Sequence, residues 1–144
     1  MTDSNIKTLN SVTKTLIDSC QGYQTCAEIS DDSYALQSEF NRRQNERRQL
    51  VNSFQSEVRQ LGGEPVENGS MSGAVHRGFT RFSALFRDDE MAAVSALDDG
   101  EEFLAEKIED KLEDGIFSSS TEALLREAHN SAKSGERFAD MING

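Results

Sequence analysis

Apolar residues recur along this chain at alternating steps of three and four, in four separate stretches. That spacing lines up one face of an α-helix and leaves no place for the two-residue alternation of a half-buried strand. Ile6, Leu9, Thr13, Leu16, Cys20, Tyr23 and Ala27 form the first seam and predict a helix over about 4–30. Asp31, Asp32 and Ser33 interrupt it with capping side chains, after which Leu36, Phe40, Arg43, Arg47, Leu50, Phe54, Val58 and Leu61 run down a second helix over about 33–61. Leu61-Gly62-Gly63-Glu64-Pro65 ends that helix, because glycine takes the left-handed turn beyond a helix and proline forbids its continuation. Val75, Phe79, Phe82 and Phe86 mark a shorter helix over about 72–86. Asp88-Asp89 opens a helix over about 89–114, whose stripe is Val94, Leu97, Glu101, Leu104, Ile108 and Leu112. Ser119 with Glu122 reads as a capping box for a last helix over about 119–142, with Leu125, Ala128, Ala132, Gly135, Ala139 and Ile142 facing inward.

These elements make an all-α four-helix bundle, a single domain over 1–144. The long helices come as two hairpins with short turns, so each hairpin is antiparallel. About 27 residues separate the hairpins, long enough to travel back along the bundle, which predicts one long crossover holding a short fifth helix, not plain up-down-up-down order.

Charge narrows the possible partners. The 15 Lys and Arg face 26 Asp and Glu, and a net charge of −11 repels phosphate backbones and anionic lipid alike, which argues against nucleic-acid and membrane roles. Residues 1–10 carry no basic patch followed by an apolar run, and no apolar stretch reaches membrane-spanning length, so a cytoplasmic protein is expected. Cys20 and Cys26 point roughly 240° apart on one helix, which rules out pairing within it, and Cys20 is expected to be a small core residue.

The stretch Leu61-Gly-Gly-Glu-Pro, then Gly69-Ser70 and Gly73-Ala74-Val75-His76-Arg77-Gly78-Phe79, resembles the middle of a bacterial ferritin-like family of uncharacterised four-helix-bundle proteins. Leu16-Ile17-Asp18, Gly22-Tyr23, Ala27-Glu28 and Asp98-Asp99-Gly100-Glu101 are similar to that family too. The resemblance spans nearly the whole chain and implies a ferritin-like bundle with its long crossover between the second and third main helices. It implies no activity, since that family is one of unknown function.

Di-iron proteins of ferritin-like architecture present one Glu from each of two helices and Glu-x-x-His from each of the other two, because two hard cations need bridging carboxylates with imidazole. Here the matching places hold Glu46-x-x-Gln49 and Glu127-x-x-Asn130, with neutral amides where imidazole is wanted. His129 lies about 200° around the helix from Glu127, so that pair does not converge on one ion. What occupies the inward stripes instead is charge. Arg43 and Arg47 fall between Phe40 and Leu50, and Glu101 falls between Leu97 and Leu104. Arg47 and Glu101 each stand about 15 residues from their own hairpin turn, which brings them to one depth in the long-crossover order. The expectation is a buried Arg47–Glu101 ion pair with Arg43 nearby, in place of metal; the alternative is that the arginines snorkel to the bundle edge and Glu101 is solvated.

Other candidates are weaker. Glu28, Glu102, Glu106, Glu109 and Glu113 read as solvated helix charges. Tyr23 reads as a core residue whose hydroxyl finds a bond, against a redox role, and Ser118-Ser119-Ser120 reads as a helix start. His76, Arg77 and Arg81 form one local basic cluster, fit for an anion or an acidic partner unless it pairs within its own bundle. The functional expectation is a non-enzymatic bundle protein without cofactor, with a role in assembly or stress physiology and a possible homodimer closed by Phe79, Phe82 or Phe86. Two rivals stand beside it: a carboxylate-only iron or manganese protein or oxidoreductase using Glu46, Glu101 and Glu127, and a helical adaptor for an unknown protein partner.

Overall fold

The computed structural model describes residues 2–69 and 90–143. Four helices account for most of them: α1, Thr2–Ile29; α2, Tyr34–Gln60; α3, Glu90–Asp114; and α4, Ser119–Asn143. The short helix expected over 72–86 lies outside the described residues, as do the proposed start at Asp88-Asp89 and the residues His76, Arg77, Arg81, Phe79, Phe82 and Phe86.

The helix ends follow local chemistry. Ser33 caps α2, its hydroxyl accepting from the Leu36 N–H at 3.3 Å. At the other end Gly62 takes φ 87°, its N–H donates to the Arg59 carbonyl and the Gly63 N–H donates to that of Val58. This paired closure satisfies the last carbonyls and needs a residue free of a Cβ penalty at positive φ. α4 starts one residue away from expectation in its cap: Ser118, not Ser119, accepts from the Thr121 N–H at 3.4 Å. Glu122 is thereby one position too far along to reach back, and no capping box forms with it.

Contacts between helices give their directions. α1 and α2 run antiparallel, with Gln37 donating to the Ala27 carbonyl near one end and Asn10 to that of Glu64 near the other. α3 and α4 do the same, from Asn143 on the Met91 carbonyl to His129 beside Glu109. Across the hairpins, α1 lies antiparallel to α3, with Cys26 against Ala93 at one end and Lys107 on the Ser11 carbonyl at the other. α2 lies antiparallel to α4, from Phe138 on Phe40 to Glu57 on Thr121. α2 and α3 therefore point the same way, and Gln60 and Glu90 sit at opposite ends of the bundle.

The core divides into two apolar clusters. Leu9, Val12, Leu16, Leu50, Val51, Phe54, Val58, Leu104, Ala105, Ile108, Leu125, Ala128 and Ala132 fill one half. Tyr23, Cys26, Ala27, Phe40, Ala93, Val94, Leu97 and Ala139 fill the other. Cys20, expected in the core, is only partly buried, whereas Cys26 is 2% exposed. The reason is that α1 packs on α3 as well as α2, and Cys26 faces Ala93 on that second contact. Among the described residues, no helix is long and apolar enough to cross a membrane.

Candidate functional site

Between the two apolar clusters lies a polar layer. Arg47 reaches it from the inner face of α2 and Glu101 from the inner face of α3, each 1% exposed. The guanidinium meets the carboxylate in a fork, Nη1 to Oε1 at 2.7 Å and Nη2 to Oε2 at 2.5 Å. Planar two-point pairing of this kind is what arginine provides and lysine does not. Glu101 Oε2 also accepts from the Tyr23 hydroxyl of α1 at 2.6 Å, and Arg47 Nε donates to the Ser131 hydroxyl of α4 at 2.9 Å. One residue from each helix thus takes part. The guanidinium further lies 5.4 Å from the Tyr23 ring centroid.

Gly135 makes room for this layer. A Cβ on it would overlap both the Glu101 carboxylate and the Tyr23 hydroxyl, so α4 approaches closely only because that position is bare. The electrostatics match the geometry. Burial pulls the Arg47 guanidinium toward neutrality, but the charge and hydrogen bonds of Glu101 outweigh it and hold its pKa above the ordinary arginine value. Burial, with the Glu101 carboxylate alongside, holds the Tyr23 phenol well above its usual range, so it stays protonated and donates. Burial likewise pushes the Cys20 thiol up to about 11 and the Cys26 thiol to about 12, which keeps both as inert thiols at neutral pH.

The remaining sequence candidates separate. Arg43 is buried but is not brought to Glu101; its Nε donates to Glu39 at 3.0 Å, its Nη1 to Ser134 at 3.3 Å, and its guanidinium lies 4.8 Å from the Phe138 centroid. A full turn along α2 separates it from Arg47, and a carboxylate on its own helix is nearer. Glu46 accepts from Ser131 at 2.7 Å, and with Gln49, Leu50, Ser53, Glu127, Asn130 and Ser134 the two residues border an open groove of about 360 Å³ between α2 and α4. Glu101 is not part of that groove. Glu28, Glu102, Glu106, Glu109 and Glu113 are exposed.

Sequence reasoning passed over three features. Ser131 sits one step off the apolar stripe of α4 and links Arg47 to Glu46. Glu57 is buried near the end of α2 and accepts from Ser120 and Thr121 at 2.7 and 2.8 Å. Its signal was a carboxylate immediately before the stripe residue Val58, opposite the Ser-rich start of α4. Asp98, Glu136 and Asp140 bring carboxylate oxygens within 4.8 Å of one another across α3 and α4.

Comparison with known proteins gives one family. A family model described as a domain of unknown function, DUF2383, matches residues 4–114. No curated protein and no solved structure matches.

Proposed function

The chain belongs to the DUF2383 family, a domain of unknown function, and from that premise we propose that it is a non-enzymatic, ferritin-like bundle whose centre is closed by its own ion pair. The observation that carries this reading is the fork between Arg47 and Glu101, both 1% exposed. A ferritin-like fold implies a di-iron centre, and the residues present do not fit one. Both oxygens of Glu101 are engaged by a cation that is part of the protein, and Glu46-x-x-Gln49 and Glu127-x-x-Asn130 supply amides in place of imidazole. Iron or manganese at that depth would face a guanidinium.

The reading extends to a bacterial, cytoplasmic bundle acting through assembly, with stress physiology as its setting. Self-association belongs to it: Tyr34, Met91 and Met141 are 84%, 64% and 72% exposed, all at the end where α1 and α4 finish and α2 and α3 begin. The deciding experiment is elemental analysis of protein purified after growth with added iron or manganese. Metal well below one ion per chain is expected, and near-stoichiometric metal would overturn the proposal in favour of a carboxylate metalloprotein.

A further inference from the structure

We propose that the groove between α2 and α4 binds a linear diamine, one ammonium at Glu46 and the other at Glu127. The groove is bordered by these two carboxylates, the amides of Gln49 and Asn130 and the hydroxyls of Ser53, Ser131 and Ser134, with Leu50 as its apolar element. Every polar group there either carries negative charge or offers an oxygen acceptor, and the chain as a whole carries −11. Such a lining selects a cation with several N–H donors.

Size and spacing favour an organic cation over a metal ion. The volume of about 360 Å³ equals about twelve waters at roughly 30 Å³ each, far more than a bare ion fills. Among the described residues, the close trio of acidic groups fit to hold a metal is Asp98, Glu136 and Asp140, to which neither Glu46 nor Glu127 belongs. Glu46 is level with Ser131, to which it is bonded, so Glu127 stands one turn along α4, about 6 Å of rise. The nitrogens of an extended four-carbon diamine stand about 6 Å apart, given carbon–carbon bonds of about 1.5 Å. Its methylenes then lie along Leu50, which is in the turn of α2 between the two carboxylates. Arg42 is the native competitor, with Nη1 3.7 Å from Glu46, but it is exposed and already held by Glu39 at 2.6 Å. This site stands apart from the core ion pair, so its failure would leave the reading of the centre intact.

The test is calorimetric titration of the full chain with 1,4-diaminobutane at low salt, beside 1-aminobutane, a blocked lysine amide, magnesium and calcium. The diamine is expected to bind at least tenfold more tightly than either monoamine and to be retained in the presence of magnesium or calcium at equal concentration. Glu46→Gln and Glu127→Gln are each expected to weaken it tenfold or more. Glu113→Gln, which removes one exposed charge elsewhere on α3, is expected to change it less than twofold. Glu127 is exposed and a Gln at 46 still accepts from Ser131, so both variants keep the parent melting curve. Equal affinity for mono- and diamine, displacement by a divalent ion, or indifference to both groove variants would each overturn the proposal.

Discussion

Glu101 receives three hydrogen bonds on two oxygens, from two Arg47 nitrogens and the Tyr23 hydroxyl, in a place with almost no water. Removing its charge strands a guanidinium that Ser131 alone does not compensate, whereas removing both charges strands nothing. Glu101→Gln is therefore expected to lower stability by about 3–5 kcal/mol, and Arg47→Met with Glu101→Leu by much less, as measured by chemical denaturation. Equal losses would mean the pair is not desolvated as described. Arg47 and Glu101 were conspicuous in the sequence because each interrupts an apolar stripe, and a count from the turns put them at one depth. Ser131 and Glu46 were not, since a serine one step off a stripe and a glutamate on a polar flank look like ordinary surface until the facing helix is known. Arg43 shows the limit of stripe reasoning: it is buried, yet its partner is a carboxylate four residues back on its own helix.

At the scale of elements, α3 and α4 carry a titrating contact of their own. Asp98 is desolvated and hydrogen-bonded to Asp140, with Glu136 and Asp99 adding repulsion, and its carboxyl is pushed up to about 7. In the unfolded chain it ionises near 3.9, so between about 4 and 7 the folded state holds a proton that the unfolded state has lost. Stability contributed by this contact is full below that window and is lost as pH rises through it. The melting temperature is expected to fall by about 1–3 °C between pH 5 and 8 from this group, a modest effect because solvent screens it, and Asp98→Asn is expected to flatten that slope. An unchanged slope would assign the titration elsewhere. Helix spans were legible to within two residues because the three-and-four spacing and the Gly62-Gly63 stop are strong local signals. The cap at Ser118 was less so, since in a run of three serines only geometry decides which hydroxyl turns back onto the helix.

For the whole molecule, hairpin pairing followed from short turns, but which hairpin faces meet did not, because a stripe of apolar residues records that a surface is covered and not by what. The exposed Tyr34, Met91 and Met141 at one end make a concentration-dependent mass the informative measurement. Light scattering is expected to show a dimer at high concentration, with Met91→Ser and Met141→Ser together shifting it to monomer; a parent mass of one chain throughout would end that part of the proposal. The polar layer also bears on how the hairpins find each other. Two greasy surfaces with a seven-residue repeat fit almost as well when slid by one repeat, but any such slide would leave a lone guanidinium and a lone carboxylate embedded in hydrocarbon, about 10 Å apart along the axis. Opposed charges placed between two oily halves thus act as a detent, giving a sequence rich in interchangeable leucines and alanines a single position in which it can come to rest.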